Sequence, residues 1–261
     1  MIHPVSSIHV HMQGWMVEHF EKTKYGRQIA KYKDLYKNRR CFIVANGPSL
    51  RADDLDRLSR TGEISFGMNR IYKLFDQTEW RPTFYICEDE LIALSQQREI
   101  EAIPAREKFI PAELKWFHGV TIPSAVLFHI NYKDEKRCPY SFSPDVARQV
   151  DCRGTVTFTC MQFAAYMGFS EIYLLGVDHN YQVTIDVAGN IVVDPNAKDY
   201  FCEGYDSDIK ERVVHDMGNN TRAYQDAKAY CEQSGRAVIY NATRGGKLEV
   251  FERVSFDSLF E

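Results

Sequence analysis

The fold class is set by residues 41–50, Cys41-Phe-Ile-Val-Ala-Asn-Gly-Pro-Ser-Leu50. The first half is an unbroken apolar run, which is typical of a strand buried on both faces of a parallel sheet. The second half ends that strand with Asn46, Gly47 and Pro48, three residue types that favour tight turns. Residues 52–58 then have a helical pattern, so this region predicts a strand–turn–helix unit.

The same alternation extends along the rest of the chain. Apolar runs predict further strands at 64–68, 83–87, 108–110, 120–122, 171–175 and 237–240. Helices are predicted at 155–167 and 221–234, with Gly168 and Gly235 as their C-terminal stops. The pattern therefore predicts an α/β, Rossmann-like fold with a mainly parallel sheet, helices on both faces and a lid-like excursion.

The domain prediction has two parts. Residues 1–38 form an N-terminal helical lead-in, and residues 39–261 form a single Rossmann-like nucleotide-binding domain. Residues 182–214 carry few core signals, so a lid is expected there. In the lead-in, basic residues alternate with aromatic ones. Either a solvated helix face or contact with anionic lipid would explain that pattern.

Composition limits the classes of partner and compartment. The 261 residues carry a formal net charge of −4, so nucleic acid is not expected as a partner. Seven cysteines without a Cys-x-x-Cys spacing favour buried thiols in a reducing compartment over disulfides or structural zinc. The sequence shows neither a signal peptide nor a transmembrane-length apolar run. A cytoplasmic protein is expected; contact with the inner face of the membrane and homo-oligomerisation are left open.

Ligands of open α/β sheets bind beyond the carboxyl ends of the strands. In this chain those ends carry small polar residues, which can bind a base, a ribose or a phosphate without a large charge. They are Asn46, Gly47, Ser49, Asn69, Glu88, Asp89, Gly176, Asp178 and Asn241. The turn at Asn46 fits a phosphate-binding loop and an ordinary strand-to-helix turn equally well, and it matches neither common nucleotide fingerprint.

Four residues are candidates for chemistry. Arg153 precedes the predicted central helix, where a cation is unfavourable unless an anion binds there. His215 is a candidate general base, and Tyr181 a candidate donor to a leaving phosphate, although solvation or packing would also explain them. Asp89 and Asp178 each follow a predicted strand, where an aspartate can hold a metal ion but is also a common turn residue. The sequence has no convincing metal-ligand spacing, so no metal site is predicted.

Four motifs together resemble a known family. They are Cys41-Phe-Ile-Val-Ala-Asn-Gly-Pro-Ser-Leu50, Gly67-Met-Asn69, Glu171-Ile-Tyr-Leu-Leu-Gly-Val-Asp178 and Tyr240-Asn-Ala-Thr-Arg-Gly-Gly246. The chain resembles the bacterial DUF115 family, which is related to the motility accessory factors. It is also similar to the sialyltransferases of glycosyltransferase family 42 and to an archaeal 6-hydroxymethyl-dihydropterin diphosphokinase. The resemblance spans about residues 35–256.

The resemblance implies a set of nucleotide-binding residues. In the sialyltransferases, the positions of Asn46 and Asn69 contact the CMP-sugar. With their neighbours they imply a set consisting of Asn46, Gly47, Ser49, Asn69, Thr155, Gly176 and Asp178. The catalytic side departs from the family. Asn180 stands where the sialyltransferases have a tyrosine, with Tyr181 one residue later, and Asn219 stands where they have their catalytic histidine.

The favoured hypothesis is a glycosyltransferase that uses a CMP-sialic-acid-like donor and a glycan acceptor in bacterial surface-glycan synthesis, without a cofactor. His215 or Asp89 would remove the acceptor proton, while Arg153 and Tyr181 would stabilise the leaving phosphate. One alternative is a 6-hydroxymethyl-dihydropterin diphosphokinase-like enzyme that needs Mg²⁺ and ATP, with Asp89 and Asp178 near the metal. A non-catalytic nucleotide-binding relative is the other, since the family base is missing at Asn219.

Overall fold

The computed structural model describes residues 15, 18–131, 142–185, 189–207 and 214–261. Its strands are β1 (Arg40–Val44), β2 (Ser65–Met68), β3 (Phe84–Ile86), β4 (Glu107–Pro111), β5 (Ala125–Phe128), β6 (Ile130–Asn131), β7 (Val150–Asp151), β8 (Glu171–Leu175), β9 (Val183–Ile185), β10 (Ile191–Val193), β11 (His215–Asp216), β12 (Val238–Asn241) and β13 (Glu252–Arg253). Its α-helices are α1 (Lys24–Ala30), α2 (Ala52–Arg60), α3 (Glu90–Ser95), α4 (Gln97–Ala102), α5 (Ala112–His118), α6 (Val156–Met167) and α7 (Met217–Ser234). Short 3-10 helices lie at Phe20–Lys22, Ile71–Leu74 and Asp257–Phe260.

The main sheet has eight strands in the order β13-β12-β8-β1-β2-β3-β4-β5. Every neighbouring pair in it is parallel, which confirms the predicted α/β, Rossmann-like class. The chain runs outward from β1 to β5 and later returns to place β8 on the other side of β1. Strand order therefore reverses between β1 and β8, and ligands of such sheets bind at the carboxyl ends of the strands at this point.

Helix α6 is the centre of the core, because all of its residues are buried. It ends at Gly168, which has a left-handed φ of 88°, as the predicted C-terminal stop requires. Helix α7 begins four residues before the predicted start. The side chain of Asp216 accepts a hydrogen bond from the Asn219 amide at 2.8 Å and caps the first turn.

Two predicted elements differ in the structure. Residues 120–122 form no strand, since Pro123 follows them and a turn joins the Ala125 amide to the Ile122 carbonyl. Strand β5 lies just beyond that turn. The predicted helical lead-in is helical in α1, whereas residues 31–38 form successive turns in which Asp34 and Asn38 have positive φ angles. Residues 1–14 of the lead-in lie outside the described residues.

Outside the main sheet, β10, β9 and β11 form a small three-stranded sheet, and β6 pairs with β7. Strands β9 and β10 belong to the segment predicted as a lid, and residues 186–188 and 208–213 of that segment lie outside the described residues. Within the described ranges, none of the helices combines the length and the apolar character that a bilayer crossing requires.

Candidate functional site

A cavity of about 320 Å³ lies at the carboxyl ends of β1 and β8, where the strand order reverses. Its walls come from the loops after β1, β2, β3 and β8, from the first turns of α6 and α7, and from residues 199–206. Nine residues predicted for the site line it: Asn46, Gly47, Asn69, Asp89, Thr155, Gly176, Asp178, Tyr181 and His215. The topology thus brings together predicted residues that are distant in the chain: Asn46 and His215 are 169 positions apart.

The turn after β1 is locked against the loop after β8. A Cβ atom on Gly47 would lie 2.0 Å from Asp178 Oδ2 and 2.5 Å from the Gly176 carbonyl oxygen, so only glycine fits. The Ser49 hydroxyl donates to Asp178 Oδ2 at 2.7 Å, and Ser49 does not line the cavity. Burial raises the pKa of Asp178, and the Ser49 hydrogen bonds oppose that rise. Gly47 and Ser49 therefore fix the position of Asp178 at the cavity wall.

Three asparagine side chains have buried Oδ1 atoms with no hydrogen-bond partner among the described residues: Asn46, Asn69 and Asn219. At two of these positions, a hydrogen bond from Nδ2 fixes the orientation of the side-chain amide. Asn46 Nδ2 donates to the Met68 carbonyl at 3.2 Å, and Asn219 Nδ2 donates to the Arg153 carbonyl at 3.1 Å. A buried acceptor without a donor is unfavourable by about 1–3 kcal/mol. All three residues line the cavity, so a ligand that carries hydrogen-bond donors would satisfy them.

Asn69 also has an unusual backbone. Its φ of 46° is left-handed, and the Tyr85 hydroxyl donates to its carbonyl at 2.6 Å. Its amide donates to the Ile86 carbonyl at 3.1 Å. Asparagine tolerates this conformation better than most residues, and such strain concentrates at ligand sites. The loop after β2 is thereby held with Asn69 at the cavity wall.

His215 and Tyr181 form a stacked pair, with ring centroids 3.7 Å apart and planes 14° from parallel. Burial lowers the pKa of His215, which favours the neutral imidazole at neutral pH, and Asp199 partly opposes that shift. Burial also raises the pKa of the Tyr181 hydroxyl, so the tyrosine keeps its proton. The pair can thus offer a proton acceptor and a hydrogen-bond donor side by side.

The structure does not bring Arg153 to the cavity wall. Its guanidinium lies 2.6 Å from the Asp226 carboxylate of α7, and this pairing explains an arginine before α6 without a bound anion. Asp89 does line the cavity, but its Oδ1 caps α3 by accepting from the Ile92 amide at 2.9 Å. Asp89 therefore has a structural role beside any chemical one.

His179 is a cavity residue that the sequence gives no reason to select over a solvated histidine. The Thr221 hydroxyl donates to the Met217 carbonyl at 2.8 Å, so it accepts from His179 Nε2 at 2.9 Å. That contact assigns the proton to Nε2 and leaves Nδ1 with a lone pair. Nδ1 is buried with no partner among the described residues, and burial lowers the pKa of His179 to about 4. The imidazole is therefore neutral and can only accept at Nδ1.

Residues 199–206 cover one side of the cavity. Within them the rings of Tyr200 and Tyr205 stack 3.8 Å apart. Lys73 Nζ donates to the carbonyls of Gly204 and Tyr205, each at 2.9 Å, and the buried Arg70 donates to the Tyr205 carbonyl. The segment is thus anchored to the residues that follow β2.

The cavity is acidic. Five aspartates line it, namely Asp89, Asp178, Asp199, Asp206 and Asp216, and neither lysine nor arginine occurs among its described lining residues. In the part of the chain that the structure describes, no group of three or more histidines, cysteines and carboxylates is arranged to hold a metal ion. A polyphosphate without an accompanying cation would be repelled here more strongly than a ligand with one phosphate charge.

Comparisons with known proteins agree with the relationships indicated by the four motifs. The model of the MptE-like family, described as 6-hydroxymethylpterin diphosphokinase MptE-like, matches residues 16–184, more than half of the chain. The structure of the MAf glycosyltransferase from Magnetospirillum magneticum AMB-1 is similar, with 16% identity and a TM-score of 0.52. That match covers 90% of this chain but 38% of the other, and at this identity it shows a shared fold alone. A mammalian sialyltransferase in complex with Gal-beta-1-3GalNAc-ortho-nitrophenol aligns with 12% identity and a TM-score of 0.36, over 91% of this chain and 86% of that one. The search of curated proteins found no match.

Proposed function

The chain belongs to the MptE-like family, and from that premise we propose that it is a nucleotide-dependent transferase, specifically a glycosyltransferase. Its donor would be a CMP-linked sugar of the sialic-acid type, and its acceptor a glycan in bacterial surface-glycan synthesis at the cytoplasmic side. The reaction would need no cofactor. The chain aligns with 38% of the MAf glycosyltransferase, so the proposal concerns the reaction at this cavity and not the whole of that protein's activity.

The observation that carries the proposal is the group of unpartnered amide oxygens of Asn46, Asn69 and Asn219 in an acidic cavity. Amide oxygens accept from the amino group of a base and from ribose hydroxyls. A CMP-linked sugar of the sialic-acid type has one charge on its phosphate and one on its carboxylate, whereas the triphosphate of ATP has more than both together. The five aspartates would therefore repel the CMP-sugar less than they would repel ATP without a cation.

The proposed reaction transfers the sugar in one displacement. An acceptor hydroxyl attacks the anomeric carbon, the bond from that carbon to the phosphate oxygen breaks, and CMP leaves with the bonding electrons. The neutral His215 would take the acceptor proton, and the Tyr181 hydroxyl would donate a hydrogen bond to the departing phosphate. Asp89 is the other candidate base.

A second candidate is a diphosphokinase, which the description of the matching family favours. It would move a diphosphate from ATP to a pterin-like alcohol, with AMP as the second product. Mg²⁺ would then have to neutralise the cavity, and Asp89 and Asp178 both line it. A third outcome is a binding protein without turnover, since Asn219 stands at the position of the catalytic histidine of the sialyltransferases and its amide donates to the Arg153 carbonyl.

The test is a thermal-shift series of the protein with CMP, CDP, UDP, GDP and ATP, each with and without Mg²⁺. A ligand that binds only the folded state raises the unfolding midpoint. A shift with CMP or CDP in the absence of Mg²⁺ supports the glycosyltransferase. A shift with ATP that requires Mg²⁺ replaces it with the diphosphokinase, and no shift with any nucleotide removes both.

A variant pair connects that shift to the cavity. Asn46→Ala removes one of the unpartnered oxygens and should lower the affinity for the nucleotide that binds by about five- to tenfold. Asn131→Ala is the matched control, because Asn131 Nδ2 also donates a single hydrogen bond of 3.2 Å, to Asp151, away from the cavity. Equal losses in the two variants would mean that Asn46 does not contact the ligand.

A further inference from the structure

Residues 31–39, which we call the basic loop, directly precede β1. They lie at the amino ends of the strands, whereas the cavity lies at the carboxyl ends. The Asp34 amide donates to the Tyr166 carbonyl at 3.1 Å, and the Tyr36 amide donates to the Met167 carbonyl at 2.8 Å. These contacts attach the loop to the last turn of α6, whereas the first turn of α6 lines the cavity. The basic loop and the cavity therefore lie at the two ends of one buried helix.

Three alternate residues of the basic loop, Tyr32, Asp34 and Tyr36, are held against the fold. The Tyr32 hydroxyl donates to Glu107 at 2.8 Å, and Asp34 pairs with Arg236 at 3.0 Å. The Tyr36 ring stacks on Phe169 at 4.8 Å, with the planes 6° from parallel. These three anchors fix the successive turns of the loop against the fold, and the side chains of the residues between them are left on the solvent side.

The alternate side chains are all exposed: Lys31, Lys33, Leu35, Lys37 and Arg39. Leu35, at the middle of the loop, is 56% exposed. Its exposure is imposed by the anchors at Asp34 and Tyr36 on either side of it, so it cannot turn into the core without breaking them. The result is an aliphatic side chain held in solvent between four cations.

The charge of the loop is not cancelled locally. Asp34 is its single acid; Lys37 lies 3.8 Å from it, but Arg236 binds the same carboxylate. The preceding residues 18–30 contain three exposed cations, Lys22, Lys24 and Arg27, and two exposed acids, Glu18 and Glu21, so they add one further positive charge. A chain with a net charge of −4 therefore concentrates positive charge at this edge.

We propose that the basic loop docks the protein on an anionic phospholipid bilayer, with its cations at the headgroups and Leu35 in the interface. Cations and an exposed aliphatic side chain are the two elements that bind a surface helix or loop to such a bilayer. A nucleic acid would be bound by cations together with exposed aromatic rings that stack on bases. Here Tyr32 and Tyr36 are turned inward, so the loop has cations without stacking surfaces.

The experiment is flotation of the full chain with vesicles of phosphatidylcholine alone and of phosphatidylcholine with about a quarter phosphatidylserine. The chain should float with the anionic vesicles, and binding should fall as salt screens the charges. Lys31→Glu with Lys33→Glu should weaken binding at least about tenfold. Leu35→Ser should weaken it roughly tenfold by removing the inserted side chain. Lys115→Glu with Lys198→Glu, two exposed lysines elsewhere, makes the same change in net charge and should have a smaller effect.

Several results would overturn the proposal. They are flotation that is equal with neutral and anionic vesicles, or equal losses in the two double variants. Failure to float with anionic vesicles combined with binding to a single-stranded oligonucleotide would replace the bilayer with nucleic acid. Failure of both leaves the loop a solvated surface. Unchanged unfolding midpoints of the variants, whose substituted side chains are exposed, show that any loss of binding is not a loss of folding.

Discussion

Gly47 is the residue at which the loop after β1 lies against the loop after β8. Its replacement by alanine puts a Cβ atom against both Asp178 Oδ2 and the Gly176 carbonyl, so the backbone has to shift. We expect Gly47→Ala to lower the free energy of unfolding by about 1–3 kcal/mol and to weaken nucleotide binding. Urea unfolding measures the first effect.

Gly218→Ala is the control for that substitution. Gly218 lies in the first turn of α7, and its nearest neighbour would be Asp216 Oδ1 at 3.5 Å, an ordinary contact. Alanine there should be neutral or should stabilise by up to about 1 kcal/mol. A Gly47→Ala protein as stable as Gly218→Ala would contradict the close approach of the two loops.

We expect Glu88, next to the cavity residue Asp89, to make the stability of the fold depend on pH. Burial raises its pKa to about 7, and a hydrogen bond from the Thr159 hydroxyl, 2.7 Å away, opposes that rise. A carboxyl with a raised pKa contributes stability that is fully present below its unfolded pKa and is lost as pH rises through the folded value. The protein should therefore lose up to about 3 kcal/mol from this group between about pH 4.5 and pH 7.

Glu88→Gln tests this sign. Glutamine can still accept from Thr159 but does not titrate, so the variant should lack this part of the decline when urea unfolding is measured at a series of pH values. Glu99→Gln, at an exposed position of α4, should follow the wild-type curve. If the wild type and Glu88→Gln have parallel curves, the carboxyl does not have a raised pKa.

For single residues, the sequence is informative where the place of a side chain depends on how far it lies from the end of a strand. Asn46, Asn69 and Asp178 lie within three residues of the ends of β1, β2 and β8, and the carboxyl ends of parallel strands lie side by side, so the local pattern is enough to place these residues together. Arg153 was interpreted through its helix, whereas its partner Asp226 is 73 positions away. The buried Nδ1 of His179 depends in the same way on Thr221 of another element. Partners that are distant in the chain cannot be predicted from the spacing of neighbouring residues.

Among the elements, Gln162 joins the central helix to the segment before it. Its Oε1 accepts from the Ser143 and Asp151 amides, both at 3.0 Å, and its Nε2 donates to the Asp151 carbonyl at 2.8 Å. Gln162→Leu would leave three buried backbone groups without these partners and should cost about 3 kcal/mol or more in urea unfolding.

Met161→Leu provides the comparison, because Met161 is the fully buried neighbour on the same helix. This substitution keeps volume and polarity and should cost less than about 1.5 kcal/mol. If both variants lose the same stability, packing in α6 and not the amide of Gln162 holds β7 in place.

Elements that are buried on every side were predicted well, and those shaped by turns were not. Strands β1 and β8 each have a continuous apolar run after their first residue, and helix α6 is mostly apolar, so composition alone identifies them. In the basic loop, the apolar spacing of Tyr32, Leu35 and Tyr36 is also compatible with a helix. The conformation there depends on positive φ angles at Asp34 and Asn38 and on hydrogen bonds to α6. Neither feature can be read from the local spacing of apolar residues.

For the whole molecule, the parallel sheet separates the two proposed binding sites. Carboxyl ends of the strands carry the acidic cavity, and the opposite edge carries the basic loop, so charge is distributed along the strand direction. Helix α6 has 12 residues and spans about 18 Å between them. Because the screening length is about 8 Å at physiological salt, the charges of one edge have little direct effect on the other.

We therefore expect the two edges to bind independently. The Lys31→Glu, Lys33→Glu variant should show the same nucleotide-induced rise of the unfolding midpoint as the wild type, although it has lost vesicle binding. Asn46→Ala should float with anionic vesicles as the wild type does, although its nucleotide response is reduced. Thermal shifts measured with and without vesicles check both statements. A nucleotide affinity that changed when vesicles were added would instead require a coupling free energy, and α6, whose two ends contact the two sites, would be the element that carries it.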